Sequence, residues 1–296
     1  MIEQVLDLLR CPRCTSGFAL DPTLRSVRCV RGHAYDLAKQ GYLNLTGSAP
    51  PAHADTASMI SARAYLLGSG RYAAVSDGLV SAVAELVETQ VAAGSGTTVL
   101  DVGTGTGHYV AQVLEARPDA RGLGLDISVA ACRRAARAHP RLGVITADAW
   151  TDLPIGTETV DLVLSVFSPR NAGEFARVLR TDGRVVTVTP TGDHLIELRE
   201  SLELLRVEPG KEERLAASFG AAGMIMERRW SVRSRDPWSA ADAVASIAMG
   251  PNAFHSDTDE IGGRATRLDW PRPVTISCDI TAWRAVAAAP GPASRS

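Results

Sequence analysis

Beyond Gly94 the sequence alternates short β-branched runs with segments of helix length: TTVLDVG, RGLGLDI, LGVITAD, TVDLVLSVF and GRVVTVTP. No other property narrows the fold as far. Strands separated by a helix's length of chain run parallel, and a parallel sheet has to be covered by helices on both faces. Two later runs, MIMERRWSV and VTISCDITAW, flank a helical stretch near Ala240 to Met249 and are expected to complete the sheet at one edge. Upstream, Met59 to about Val91 reads as helices broken at Gly68 to Gly70, with apolar residues recurring at Leu79, Val83, Leu86 and Val87.

The first run leads into VLDVGTGTGHY, which places Asp101, Gly103, Gly105 and Gly107 between a strand and a helix. Glycines let the backbone turn sharply and approach a ligand, and the helix that follows offers free N–H groups. The loop alone is shared by dinucleotide-binding and adenosylmethionine-binding folds. Two acids separate them. Asp126 ends the second strand, where a carboxylate can take both ribose hydroxyls, and Asp148 ends the third, close to where an adenine lies. Asp101, beside the loop, repels a pyrophosphate and suits the cationic amino-acid end of S-adenosylmethionine. Each acid alone could be a solvated strand end. Together they predict a class I S-adenosylmethionine-dependent methyltransferase, Rossmann-like, with a seven-stranded, mostly parallel sheet.

Ahead of this region, LRCPRCTSGFALDPTLRSVRCVRGHAYDLAKQGYLNL gathers Cys11, Cys14, Cys29 and His33. Two close pairs joined by a short ribbon supply three thiols and one imidazole, the donor set of a closed tetrahedral zinc site. With no open position the metal would be structural, replacing the core that so short a segment can hardly build. Coincidental free thiols are the bland alternative. Arg13, Arg25, Arg28, Arg31 and Lys39, against Asp21 and Asp36, make the segment locally basic, as a phosphate-contacting surface or simply a solvated face.

The small, polar, proline-bearing SAPPAHADTAS marks a linker. The expected organisation is therefore a zinc-binding module over 1–47, a linker and helical lead-in over 48–94, the methyltransferase domain over 95–286 and a disordered tail over 287–296. Net charge is −2 and 45% of residues are apolar, so no gross basicity announces a nucleic-acid partner. Nothing in the sequence reaches transmembrane length or resembles a secretory leader. Five cysteines, three of them clustered, fit a reducing compartment and place the protein in the cytoplasm.

CPRC, CVRGHAYDLAKQGYLNL, DTASMISARAYLLGSGRY, VLDVGTGTGHY, VFSPR and TPTGDHLIEL resemble, in order, the RlmA/TlrB-type 23S rRNA guanine-N1 methyltransferases. MGPNAFH resembles the branch that includes tylosin-resistance enzymes. The resemblance implies methyl transfer from S-adenosylmethionine to N1 of a guanine in a 23S rRNA hairpin near the peptide exit tunnel, with macrolide resistance as a consequence. It also implies the large ribosomal subunit or its RNA as partner, a homodimer, and no membrane. Zinc ligands carry over to Cys11, Cys14, Cys29 and His33, and cofactor contacts to Tyr72, Gly105, Thr106 and His194. His194 taken alone reads as a surface residue.

GSAPPAHAD stands where enterobacterial relatives are rich in lysine and arginine, which removes one RNA contact. MERRWSVRSRD, with Arg228, Arg229, Arg233 and Arg235 around Trp230, is a candidate replacement. After the fourth strand SVFSPR lacks the tetrad used by exocyclic-amine methyltransferases. Phe167 is then either a stacking platform for an extruded base or a core residue, and Ser165 or Ser168 can bond the base edge. No residue type singles out a catalytic base. A small-molecule methyltransferase and a non-catalytic RNA-binding protein remain as alternatives, the first expected to ignore RNA and the second to show no turnover.

Overall fold

The computed structural model describes residues 1–21, 25–46, 54–88, 96–202, 210–250 and 258–286. Most of the expected linker, residues 251–255 of MGPNAFH and the expected tail lie outside them.

Strands β5 (Thr98–Val102), β6 (Arg121–Asp126), β7 (Leu142–Thr146), β8 (Val160–Val166) and β9 (Leu179–Pro190) are the five predicted runs. They pair in parallel, with β5 at the centre between β6 and β8. β10 (Met224–Trp238) and β11 (Arg272–Ala285) form the predicted edge, and β11 enters antiparallel between β9 and β10. After β7 the chain crosses back past β5 to β8, so the strand order reverses at β5 and a crevice opens where β5 and its neighbours end.

Seven strands were expected and eight are found among the described residues, in the order β10-β11-β9-β8-β5-β6-β7-β4. The eighth, β4 (Leu43–Asn44), comes from the cysteine-rich segment and pairs in parallel with β7. A separate small sheet holds β1 (Phe18–Asp21), β2 (Ser26–Cys29) and β3 (Ala34–Asp36).

Helices cover both faces, as the patterning requires. Helices α1 (Ala57–Gly68), α2 (Ala73–Glu88), α3 (His108–Ala116) and α4 (Val129–Ala135) precede α5 (Ala172–Val178), α6 (Ile196–Leu202), α7 (Lys211–Ala221), α8 (Ala240–Ala248) and α9 (Thr258–Thr266). Along β5, Val99 packs into the core that holds Leu79, Val110 and Cys132, while Leu100 and Val102 pack into the one that holds Val5, Phe175 and Phe219. That alternation is the period of a strand buried on both sides.

The amino-terminal 3-10 helix, Ile2–Leu8, completes the second face. It lies so close to β7 that a Cβ on Gly143 would collide with Cγ2 of Val5. Asp7 is gripped by both terminal nitrogens of Arg121, each at 2.8 Å. Arg10 donates its backbone N–H to the Pro154 carbonyl at 2.8 Å, and Gly156 returns one to Leu8 at 2.8 Å. Among the described residues no helix is long and apolar enough to cross a membrane.

Candidate active site and metal centre

The donor atoms of Cys11, Cys14, Cys29 and His33 all lie within 4.8 Å of one another. Cys14 and Cys29 sulfurs are 3.6 Å apart, and Nδ1 of His33 is 3.5 Å from Cys11 and 3.4 Å from Cys29. Four ligands around zinc at ordinary bond lengths stand about 3.5–3.8 Å from each other, so the cluster fits that metal. Tight turns make it so. Thr15 donates its N–H to the Cys11 carbonyl at 2.8 Å, and Gly32 donates to Cys29 at 2.9 Å. Gly32 has φ +83°, a left-handed conformation that a side chain would strain. Tyr35 brings its hydroxyl to 3.5 Å from the Cys11 sulfur and braces the ligand from outside.

At the sheet's carboxyl end, Asp101 is 3% exposed and accepts the Thr104 hydroxyl at 2.7 Å. Burial pushes its pKa up to about 7, against the Thr104 bond, with the Asp126 charge adding to the rise. Asp126 accepts the Gly105 N–H at 2.9 Å and the Ser128 N–H at 2.8 Å, so it shapes the loop as well as facing the crevice. Burial raises its pKa too. Gly103, at φ +71°, packs where a Cβ would meet Ser168, and Gly107, at φ +77°, caps α3. Asp148 lines a cavity of about 280 Å³ with Ile127, the residue after Asp126. Thr106 borders a different opening, of about 520 Å³, together with His108 and Arg134.

Tyr72 and His194 meet within the fold, both nearly closed to solvent. Around them the rings form a cluster: Phe167 lies 6.1 Å from Tyr72, 6.3 Å from Tyr109 and 6.0 Å from His194. Phe167 is 39% exposed, which argues against a plain core role, and it adopts φ +54°. Ser165 and Ser168 are 3.0 Å apart, and Ser168 donates to the Val102 carbonyl at 2.5 Å. Their hydroxyls are occupied in holding the loop and not in reaching a base.

Arg63 and Tyr109 escaped the sequence reading. Arg63 on α1 leans over the glycine loop: its Nη1 would lie 3.2 Å from a Cβ on Gly105. It pairs with Asp55 at 2.5 Å and donates to the Met249 carbonyl at 2.8 Å. Tyr109 buries a hydroxyl with no hydrogen-bond partner among the described residues. A buried orphan of this kind is costly unless a ligand satisfies it.

The arginines of β10 are not a free basic face. Arg228 pairs with Glu85 and lies over Trp230, Arg229 with Glu212, Arg233 with Asp193 and Arg235 with Glu197. In the ribbon the corresponding contact, Arg28 to Asp21, is 3.9 Å, while Arg13, Arg25, Arg31 and Lys39 are exposed.

Residues 9–47 match the family model for the RlmA amino-terminal region, and residues 99–186 match a methyltransferase domain. The 23S rRNA (guanine(748)-N(1))-methyltransferase of Streptomyces fradiae is 42% identical over 288 residues, covering 96% of this chain and 99% of its own. The chain belongs to the 23S rRNA (guanine-N1)-methyltransferase family. A protein of Micromonospora griseorubida, provisionally named for the same activity, is 40% identical over 97% of this chain and all of its own. A Bacillus subtilis relative is 33% identical over 66% of this chain and 68% of its own. A family member of this build is an S-adenosylmethionine-dependent methyltransferase fused to a structural zinc ribbon.

Proposed function

We propose that the protein methylates N1 of a guanine in 23S rRNA, at the position equivalent to the guanine 748 named for the Streptomyces fradiae relative. The observation that carries this reading is the near full-length relationship to that enzyme, 42% identity across both chains. The fused ribbon and crevice agree with it. We assign the zinc to Cys11, Cys14, Cys29 and His33, and the cofactor to Tyr72, Asp101, Gly103, Gly105, Thr106, Gly107, Asp126, Asp148 and His194. Units at 1–47, 48–94 and 95–286, a homodimer, a cytoplasmic setting and macrolide resistance belong to the same proposal.

When bound, S-adenosylmethionine supplies an electrophilic methyl group, and each transfer to guanine N1 releases one proton. Guanine N1 lies on the Watson–Crick edge, so the base has to leave its stack. Phe167, half-exposed and fixed by three neighbouring rings, offers a face for the extruded base. Asp126 takes the ribose hydroxyls and Asp101 the ammonium, whose charge relieves the buried carboxylate. Arg63 takes the carboxylate of the same amino-acid end, as a guanidinium fork does well. Tyr109 finds there the partner its hydroxyl lacks. Arg170, half-buried with an unpartnered Nε three residues after Phe167, is assigned to guanine O6, which gains negative charge as N1 loses its proton.

The test is to incubate the zinc-loaded protein with S-adenosylmethionine and either free 23S rRNA or large subunits, then map the product by primer extension. A stop opposite the one guanine is expected. Unchanged extension through every guanine of both substrates would sink the proposal.

A further inference from the structure

The cavity beside Asp148 is not built by the methyltransferase residues alone. Its lining combines Ile127, Thr146 and Asp148 with Pro12, Leu45 and Thr46 from the cysteine-rich segment. Pro12 directly follows the metal ligand Cys11, and Leu45 and Thr46 directly follow β4. Its volume of about 280 Å³ is near the lower end for small-ligand pockets, roughly 300 Å³, and suits a nucleoside and not a whole cofactor.

The two groups are fixed to each other. Leu45 donates its N–H to Oγ1 of Thr146 at 3.0 Å, and Thr146 donates its hydroxyl to Asn44 at 2.7 Å. The Thr46 hydroxyl lies 3.1 Å from the same Thr146 oxygen. Thr146 ends β7 two residues before Asp148, so the ribbon's last residues are held against the strand that aims that carboxylate. Pro12 is placed by the turn that brings Cys11 and Cys14 together. One Asp148 oxygen accepts the Trp150 N–H at 2.9 Å, which leaves the other for an amine such as adenine N6.

We infer that the zinc ribbon forms one wall of the adenine subsite, with Pro12, Leu45 and Thr46 facing Ile127 and Asp148, so that nucleoside binding and zinc retention stabilise each other. The inference rests on the proposed placement of the cofactor along Asp126 and Asp148. Proline, leucine and threonine methyl groups give an apolar wall against a purine, while the acid opposite reads its amine. Coupling through a shared wall is reciprocal: what the metal adds to nucleoside affinity, the nucleoside adds to metal affinity.

The test uses full-length, zinc-loaded protein titrated calorimetrically with S-adenosylhomocysteine, as wild type, Thr46→Trp and Asp126→Asn. Thr46 is exposed at the cavity, so an indole fills the space without touching a metal ligand. Thr46→Trp is expected to keep one zinc per chain and to bind at least about ten-fold more weakly. In the wild type, S-adenosylhomocysteine is expected to slow zinc transfer to a chromophoric chelator several-fold. Wild-type affinity in Thr46→Trp, or zinc release indifferent to S-adenosylhomocysteine in the wild type, overturns the inference. Asp126→Asn tells the two ideas apart. If only Asp126→Asn loses binding, the cofactor placement stands and the ribbon wall falls; if neither variant loses it, both fall.

Discussion

Nε2 of His194 lies 3.3 Å from the Tyr72 hydroxyl, while Nδ1 of the same ring accepts the Ser277 amide N–H at 3.3 Å. With Nδ1 an acceptor, the ring proton sits on Nε2 and is donated to the tyrosine oxygen, which frees the phenolic proton for another partner. A second ring proton would point at the Ser277 donor. Burial, with the Arg199 charge behind it, accordingly lowers the His194 pKa to about 4.

Lowered below its unfolded value of about 6.5, His194 binds its proton more weakly in the folded state. Its contribution to stability is complete above pH 6.5 and is lost as pH falls towards 4, by on the order of 3 kcal/mol in all. Urea unfolding of wild type and His194→Gln at pH 7, 6 and 5 checks this. The wild type should lose stability relative to the variant at each step down, and parallel losses would refute the assignment.

Asp101 runs the other way. Its folded pKa, raised to about 7, makes the ionised carboxylate a liability that grows as pH rises from about 4 through 7. Asp101→Asn keeps an acceptor for the Thr104 hydroxyl and cannot ionise. It should be more stable than wild type at pH 8, by on the order of 2–4 kcal/mol, with a much smaller gain at pH 5. Titration should show that S-adenosylhomocysteine affinity falls in the same variant.

Arg63 is expected to recognise only the amino-acid end of the cofactor. Arg63→Met should weaken S-adenosylhomocysteine binding by about ten-fold to a hundred-fold. Affinity for 5′-methylthioadenosine, which lacks that end, should stay near the wild-type value. Equal losses for the two ligands would mean that the arginine serves the fold through Asp55 and Met249 and does not touch the ligand.

Gly143→Ala drives a methyl group into Val5 and should cost about 1–3 kcal/mol, the usual range for an overfilled core. Val5→Ala in the same chain should restore part of that loss. A denaturation cycle over the two single variants and the double variant gives the coupling directly. Additive losses would mean that the amino-terminal helix does not sit on β7.

Much of this was legible before the structure, because it depends on short-range pattern. The strand, glycine loop and helix around Asp101 are contiguous, and each zinc-ligand pair sits inside one turn. β4 was invisible, since a two-residue strand has no period to detect. Arg63 looked like any helix-surface arginine; the carbonyl it bonds belongs to Met249, 186 residues away. The basic run on β10 misled for the same reason, its acids being supplied by α2, α7, α6 and the turn before α6. Tyr109 could be found only once its hydroxyl was seen to be buried alone.

The pairing of β4 with β7 joins residues about a hundred positions apart, Asn44 with Thr146. A ribosome adding about 5–20 residues per second leaves an interval of roughly 5–20 s between the two during synthesis. For a delay of that length the ribbon stands outside the exit tunnel without its strand partner, with its four ligands already made. Metal capture therefore has time to precede docking, and where zinc is short β7 would meet an amino terminus not yet shaped to receive it.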